Sequence, residues 1–213
     1  MQHSRQARTY DALSRWYSLL SDSSEGPLRR ECLDRLRLQP GEAVLEIGSG
    51  PGTDLPAMEA RVGGAGVVWG LDLSRGMLRV CQRKLLKDRR GSSIRLVQGD
   101  GLKLPFRHSL FDVVVLSFTL ELFGENEIHQ VLREAARLLR GKGRLGIVSL
   151  SNHYPGELAT RAYWQAHRAL PGIIDCRPID APGIVAGSGY DLFEEVERPM
   201  WGLRVAILVA RKS

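Results

Sequence analysis

Three acidic residues at or shortly after predicted strands are the side chains best suited to binding chemistry: Glu46, Asp72 and Asp100. The first is followed by glycine at three alternate positions, over residues 48–52. Glycine adopts positive φ and leaves backbone atoms open to close approach by a ligand. In nucleotide-binding folds, an acid at the carboxyl end of a strand accepts hydrogen bonds from ribose hydroxyls. The combination predicts a site for a ligand that contains a nucleoside.

The segment Val44–Gly52 is typical of a buried strand that breaks into a tight loop. Thr53 and Asp54 offer an N-cap and a first-turn acid, which predicts a helix directly after the loop. No lysine follows Gly52, so this is not a P-loop. The dinucleotide fingerprint requires Gly or Ala at position 53, so a pyrophosphate cradle is disfavoured. A glycine turn that only links a strand to a helix is the structural alternative.

The spacing Glu46-x-Gly48-x-Gly50-x-Gly52 resembles the first motif of the class I S-adenosylmethionine-dependent methyltransferases. Within that family, the chain is similar to ubiquinone and menaquinone biosynthesis C-methyltransferases at three short segments, namely Tyr10-Asp11, Pro40-Gly41 and Leu104-Pro105-Phe106. The resemblance covers residues 41–150 with ordered motifs. It implies S-adenosyl-L-methionine as cofactor, S-adenosyl-L-homocysteine as its product, and a small-molecule methyl acceptor that is quinone-like or lipid-like.

The resemblance also implies individual cofactor contacts. The glycine loop would approach the methionine moiety, Asp72 would bind the ribose, and Asp100 would accept a hydrogen bond from the adenine amino group. Leu73 and Met77 either pack against the adenine or belong to the core. The predicted cofactor-binding set is Glu46, Gly48, Ser49, Gly50, Gly52, Asp72, Leu73, Met77, Asp100, Gly101, Ser117 and Phe118.

Methyl transfer from a sulfonium depends mainly on alignment of the acceptor with the methyl group. A phenolic carbon acceptor would also need a general base within hydrogen-bond reach. The predicted catalytic candidates are His153, because a histidine side chain ordinarily exchanges protons near neutral pH, and Glu121. A structural or solvated histidine is the alternative for His153, and pairing with a local acid is the alternative for Arg177. Substrate contacts are predicted for Tyr10, Tyr17, Tyr154 and Arg177, and no metal site is predicted.

Apolar runs that alternate with helical patterns predict a parallel α/β sheet. The predicted strands lie at residues 44–47, 67–72, 94–97, 111–116 and 144–150, with a closing pair at 194–199 and 203–209. The predicted fold class is α/β, a three-layer sandwich with a seven-stranded, mostly parallel Rossmann-like sheet and an antiparallel C-terminal strand. Ser74 is predicted to cap one helix, and Gly141 to close another that contains residues 128–139.

A length of 213 residues with 43% hydrophobic content predicts one domain over residues 1–213. Residues 1–40 are predicted to form a helical lid, and residues 151–189 an insertion that builds the substrate pocket. No apolar run is long enough to span a bilayer, and the N-terminus lacks the apolar segment of a secretion signal. A cytoplasmic location is therefore expected, with free thiols at Cys32, Cys81 and Cys176.

The formal net charge of +6 includes a basic cluster between residues 79 and 95. The interpretation favoured by such a run is a solvated helix face, and contact with nucleic acid or an anionic membrane is the alternative. The expected partners are a small-molecule acceptor and no nucleic acid, with peripheral membrane contact as an option, in a monomer or homodimer. Two other functions stay open, an NAD-dependent oxidoreductase and a non-enzymatic S-adenosylmethionine-binding module.

Overall fold

The computed structural model of the protein describes residues 24–88, 91–152, 177–200 and 202–212. Four residues with predicted roles lie outside these ranges: Tyr10, Tyr17, His153 and Tyr154. Cys176, the first part of the predicted lid and residues 153–176 of the predicted insertion lie outside them as well.

The described residues form one seven-stranded sheet. Its strands are β1 (Ala43–Ile47), β2 (Val67–Asp72), β3 (Ile94–Gln98), β4 (Phe111–Ser117), β5 (Leu139–Ser151), β6 (Tyr190–Met200) and β7 (Leu203–Lys212). They lie in the order β3-β2-β1-β4-β5-β7-β6, and β7 is antiparallel to both of its neighbours while the other pairs are parallel. The predicted sheet, mostly parallel with an antiparallel C-terminal strand, is confirmed.

Helices cover both faces of the sheet. They are α1 (24–36), α2 (Leu55–Val62), α3 (Arg75–Lys87), α4 (Glu125–Leu138) and α5 (Ala181–Ala186), with a 3₁₀ turn at Leu120–Leu122. Buried side chains of α1, α2 and α3 share one apolar cluster with one face of the sheet. Those of α4 and α5 share a second cluster with the opposite face. The predicted three-layer sandwich is therefore confirmed.

The central strands are apolar, as expected for a sheet that helices cover on both faces. Val113 to Leu116 of β4 are fully buried, because strands of a parallel sheet are covered on both faces. Gly146 of β5 permits close approach of α1, since a Cβ at this position would lie 2.6 Å from Cδ1 of Leu36. The helix that precedes β1 therefore packs directly on the middle of the sheet.

The boundary between α4 and β5 differs from the prediction. α4 ends at Leu138, and β5 begins at Leu139, which pairs with Phe111 of β4. Gly141, predicted to close the helix, lies inside the strand. The apolar periodicity continues past the last helical turn, so strand pairing with a distant segment decides where the helix stops.

The start of α2 also differs from the prediction. Asp54, not Thr53, occupies the N-cap position, and its side chain makes no capping hydrogen bond. The carboxylate instead forms an ion pair with Arg29 of α1, at 3.0 Å from Nε. The cap of α3 is confirmed, because Oγ of Ser74 accepts from the Met77 N–H at 3.2 Å. Within the described ranges, none of the helices combines the length and apolarity needed to cross a bilayer.

Candidate active site

The carboxyl ends of the first three strands lie level with one another. Ile47 of β1 pairs with Leu71 of β2, and Leu71 pairs with Val97 of β3. The glycine loop after β1, the acid that ends β2 and the turn after β3 are therefore neighbours along the edge of the sheet that the carboxyl ends of the strands form. Ligands of open α/β sheets bind at this edge.

The three glycines of the loop have different physical roles. Gly48, Gly50 and Gly52 all have positive φ, at 73°, 52° and 72°. A Cβ at Gly48 would collide with the Thr119 side chain, and one at Gly52 would collide with Sγ of Cys81. A Cβ at Gly50 would meet nothing within 4 Å. Two glycines thus allow packing against the protein, while the third presents open backbone.

Asp72 is held in place by two backbone donors. Its Oδ2 accepts from the Gly50 N–H at 2.7 Å, and its Oδ1 accepts from the Ser74 N–H at 2.7 Å. The N–H groups of Gly48 and Ser49 both donate to the Leu71 carbonyl, at 2.8 and 3.0 Å. A carboxylate has about four acceptor sites, so these bonds orient Asp72 and still allow it to accept from a ribose.

Glu46 lies inside β1 and is only 3% exposed. Its Oε2 has no hydrogen-bond partner among the described residues, and the same is true of Oγ of Ser49 in the loop. Burial raises the pKa of Glu46 well above its ordinary value, and the negative charges of Asp54 and Asp72 raise it further, while Arg29 acts in the opposite direction. A cation bound beside this carboxyl would offset that cost and favour its ionised form.

Arg29 and its two acidic partners were not found by sequence reasoning. The guanidinium of Arg29 is nearly buried and lies 3.0 Å from Asp54 and 2.8 Å from Glu25, measured from Nε and Nη1. Glu25 and Arg29 have the i, i+4 spacing of a helix pair, which was the available signal. The bond to Asp54 joins residues 25 positions apart, so no local pattern indicates it.

The turn after β3 carries Asp100 and Gly101. Oδ1 of Asp100 accepts from the Leu102 N–H at 2.9 Å, which fixes the carboxylate in a tight turn. A Cβ at Gly101 would lie 2.9 Å from the Phe123 ring, so this glycine allows close packing. The structure therefore gives both residues turn and packing contacts, and a further bond from Asp100 to an adenine is a proposal.

Leu73 and Met77 differ in exposure. Leu73 is 38% exposed just beyond β2, whereas Met77 is 5% exposed in the first turn of α3. An exposed leucine beside Asp72 is available to a flat ring, while the buried methionine contributes mainly to packing. Of the two, Leu73 is the stronger candidate for the adenine face.

The segment after β4 contains a non-glycine residue with a left-handed backbone conformation. Ser117 ends the strand, and Phe118 has φ of +49° although it is not glycine. The Phe118 N–H donates to the Val148 carbonyl at 2.7 Å, which ties the segment to β5. Thr119 follows and packs against Gly48. A strained backbone at this edge, against the glycine loop, is consistent with a functional segment.

Glu121, a predicted catalytic candidate, is deeply buried. It is 1% exposed in the 3₁₀ turn, and its Oε1 accepts from the Leu150 N–H at 3.2 Å. Its Oε2 has no partner among the described residues. Burial raises the pKa of Glu121 to about 8, with a smaller contribution from the charge of Glu25. The carboxyl is therefore mostly protonated at neutral pH.

Arg177 is engaged by the protein itself. Its Nη2 donates to the Phe123 carbonyl at 2.9 Å, and its Nη1 lies 3.5 Å from Oε1 of the exposed Glu125. These contacts match the alternative predicted for Arg177, which was pairing with a local acid instead of contact with the substrate.

The buried cysteines are unsuited to nucleophilic chemistry. Cys32 and Cys81 are free thiols, and burial raises the pKa of Cys81 to about 11. A thiol must ionise to react, so both act as small apolar groups in the core.

The charges at this edge of the sheet discriminate between cofactor classes. Glu25, Glu46, Asp54 and Asp72 contribute carboxyl groups, and Arg29 contributes the guanidinium among them. Such an excess of acid fits a ligand that carries positive charge, such as a sulfonium with an amino group. It opposes the pyrophosphate of a dinucleotide, whose charge is negative. The residues present therefore fit S-adenosylmethionine.

A family model described as "Methyltransferase domain" matches residues 44–143. The match begins in β1 and ends in β5, so it contains the glycine loop, Asp72, Asp100 and Glu121.

Known relatives extend the likeness beyond that segment. A demethylmenaquinone methyltransferase of Corynebacterium kroppenstedtii is 34% identical over 171 residues, which cover 78% of this chain and 69% of that protein. The nocamycin O-methyltransferase of Saccharothrix syringae is 31% identical over 193 residues, with coverage of 83% and 68%. A demethylmenaquinone methyltransferase of Lactobacillus johnsonii is 29% identical over 78% of this chain, which spans 65% of that relative's length.

Solved structures share the fold. A methyltransferase determined in complex with the Haloferax volcanii Trm112 methyltransferase activator has a TM-score of 0.77 at 18% identity, covering 96% of each chain. A SAM-dependent methyltransferase from Aquifex aeolicus has a TM-score of 0.64 at 18% identity, covering 85% of this chain and 88% of that one.

The chain belongs to the S-adenosylmethionine-dependent methyltransferases. The predicted family, cofactor and enzyme class are confirmed, and the oxidoreductase and the non-enzymatic binding module are not favoured.

Proposed function

We propose that this methyltransferase moves the methyl group of S-adenosyl-L-methionine to a small acceptor that is quinone-like or lipid-like. The cofactor half of the proposal is supported by two features of the first strand and its loop: the buried carboxyl of Glu46 has an unpartnered oxygen, and the backbone of Gly50 is open, with nothing within 4 Å of a Cβ at that position. The acceptor half is supported by the relatives, two of which are named for demethylmenaquinone and one for O-methylation of nocamycin.

Cofactor contacts are proposed for the loop and for the acids that follow β2 and β3. When bound, S-adenosylmethionine supplies an activated methyl group on a positively charged sulfur. Gly50 presents backbone without side-chain cover, and Asp72 is oriented by two backbone donors before any ligand contact. Asp100 and Leu73 are proposed to contact the adenine. The unpartnered Oγ of Ser49 completes the set of polar groups near the loop.

The protein's main contribution to the reaction is proposed to be alignment. Holding acceptor and methyl in a near-attack geometry can lower a barrier by roughly 7–11 kcal/mol. The strained segment at Phe118, packed between the glycine loop and β5, is the proposed floor of the reaction site. Exclusion of water by the neighbouring apolar side chains would protect the transfer.

A general base is proposed only for a phenolic acceptor. His153 follows β5 in the sequence but lies outside the described residues, so its role rests on its chemistry alone. Glu121 has a raised pKa of about 8, which makes its carboxylate a stronger base once it is ionised. Its bond to Leu150 and its burial also suit a positioning role, and the two roles differ in the pH dependence of kcat for Glu121→Gln.

The experiment that tests the function measures transfer of an isotopically labelled methyl group from the cofactor to candidate acceptors. Demethylmenaquinone and a simple dihydroxyaromatic ring are the first two, and mass spectrometry of the product identifies the methylated atom. We expect transfer to at least one quinone-like acceptor. Tight binding of the cofactor without transfer to any small acceptor would overturn the acceptor half of the proposal.

A matched pair of variants connects the activity to the loop. Gly50→Ala adds a Cβ to the open backbone surface, whereas Gly41→Ala adds one at another positive-φ glycine that also has nothing within 4 Å. Both carry the backbone strain of a left-handed residue, about 1–2 kcal/mol. Only Gly50→Ala is expected to weaken cofactor binding. Equal cofactor affinity in the two variants would argue against the proposed contact.

One catalytic domain over residues 1–213 is part of the proposal. Its support is that a single sheet includes strands from residue 43 to residue 212. A cytoplasmic location and a monomeric or homodimeric state are proposed with it, and size measurement by light scattering tests the oligomeric state.

A further inference from the structure

The outward face of α3 concentrates positive charge. The helix carries five cationic side chains and no acidic one. All five are exposed to solvent: Arg75, Arg79, Arg83, Lys84 and Lys87. A cluster of this density attracts anionic surfaces through its summed field.

These cations are not neutralised by neighbouring acids. Elsewhere in the protein, Arg35, Arg144 and Arg198 each form an ion pair with a glutamate at 2.7 Å. The five cations of α3 take part in none of the ion pairs within the described ranges. Asp88 follows directly after the helix but forms none of these ion pairs, so the face of α3 keeps a net positive charge.

An exposed aliphatic side chain lies among the cations. Leu86 is 71% exposed, well above the three other large hydrophobic residues that reach the surface in the described part of the chain, which range from 37 to 44%. Arg79, Arg83 and Leu86 are spaced by four and three residues, so they share one stripe of the helix. A leucine flanked by lysine and arginine suits the boundary between lipid headgroups and acyl chains.

The position of α3 places its basic face on one side of the sheet. The helix packs against β2 and β3 at one edge of the sheet. The opposite edge strand, β6, carries four acids and one arginine. β6 lies six strand spacings from β3, about 29 Å away. Its Glu194 is paired with Arg35 and Arg37. Its Asp191 lies opposite Arg211 of β7, so the charge of this strand is partly neutralised. The basic face of α3 is therefore the side of the sheet that would attract an anionic surface.

We propose that the outward face of α3 docks the protein on a bilayer that contains anionic phospholipids. Lipid is favoured over nucleic acid because α3 has no aromatic side chain on which a base could stack, while it does expose Leu86. The benefit of docking rests on the proposed function, since a quinone-like acceptor partitions into bilayers. The surface itself is argued from charge and exposure alone.

The test is co-sedimentation of the full chain with vesicles of phosphatidylcholine, with and without phosphatidylglycerol. Binding is expected only to the anionic vesicles, and salt should weaken it. The double variant Arg79→Gln/Arg83→Gln should bind roughly 30-fold more weakly, which corresponds to about 1 kcal/mol for each charge. Leu86→Gln should weaken binding further without changing the charge. The control Arg133→Gln/Lys142→Gln removes the same charge from exposed positions on α4 and β5 and should bind almost normally.

Three outcomes overturn the proposal: no binding to anionic vesicles, whether or not a single-stranded RNA probe binds; equal binding to neutral vesicles; or equal losses in the two double variants. Cofactor titration of the same proteins separates this proposal from the proposed function. The α3 variants should bind S-adenosylmethionine with unchanged affinity. Failure of the unmodified protein to bind the cofactor would refute the proposed function and leave the vesicle result standing.

Discussion

The N–H of Gly50 donates to Oδ2 of Asp72 at 2.7 Å, so the loop after the first strand is bonded to the acid that ends the second. Oδ1 of the same carboxylate accepts from Ser74 at the start of α3. Three segments at the ligand-binding edge thus converge on one side chain. Orienting it in advance lowers the ordering cost of binding.

Asp72→Ala should weaken cofactor binding. The variant removes hydrogen bonds to a charged acceptor, which are worth roughly 1.5–3 kcal/mol, or roughly 10- to 150-fold in affinity. Isothermal titration calorimetry measures this loss. Asp88→Ala, which removes an exposed acid at the end of α3, is the control for net charge. Unchanged affinity in Asp72→Ala would remove this residue from the site.

Gly48→Ala should destabilise the fold. Its Cβ would collide with the Thr119 side chain at a backbone φ of +73°. Overpacking of this kind typically costs about 1–3 kcal/mol, to which the left-handed backbone adds about 1–2 kcal/mol. Urea denaturation gives the free energy of unfolding. Gly41→Ala has the same backbone strain without the collision and should lose less, so similar losses in both variants would contradict the packing argument.

Arg29→Met should destabilise the protein because it leaves two acids without their shared cation. The side chains of Arg29 and Asp54 are 9% and 10% exposed, so the loss resembles that of a buried ion pair, about 3–5 kcal/mol. Arg35→Met breaks a more exposed network and should cost about 0–1 kcal/mol. The comparison uses urea denaturation of both variants. A loss in Arg29→Met no larger than in Arg35→Met would show that the buried pair contributes little.

Glu121 should make stability depend on pH. Burial raises its pKa to about 8 from an ordinary value of 4.5, so between these values the folded state holds a proton that the unfolded state has lost. The free energy of unfolding therefore falls as pH rises from 4.5 to about 8, and this contribution levels off above. Glu121→Gln replaces the titrating carboxyl with an amide, so the free energy of unfolding should depend less on pH between 4.5 and about 8.

The measurement is urea denaturation at several pH values, with Glu125→Gln as the control because that carboxylate is almost fully exposed. An unchanged slope in Glu121→Gln would show that the carboxyl ionises normally in the folded protein. A catalytic base role would in addition shift the pH profile of kcat, whereas a positioning role would lower kcat at every pH.

Much of the framework could be predicted because each strand is a continuous apolar run and each helix has its own periodicity. The prediction of β2 coincided with the observed strand, and the order of motifs along the chain predicted which loops share one edge. The predicted helix ran through Leu139 and closed at Gly141, whereas α4 ends at Leu138, because a distant strand competes for the last turn. The extent of β6 was underestimated, since its pairing with the following strand β7 begins at Tyr190.

The sequence by itself determined the fold class, the glycine loop, the strand-end acids and the cofactor, because these depend on residue types at short, regular spacings. Only the tertiary structure decided that Arg29 binds Asp54, that Glu121 is buried against β5, and that Arg177 is occupied by the protein. Those contacts join residues 25 to 54 positions apart. Burial and ion pairing arise from chain folding in three dimensions, so no local pattern of residue types contains them.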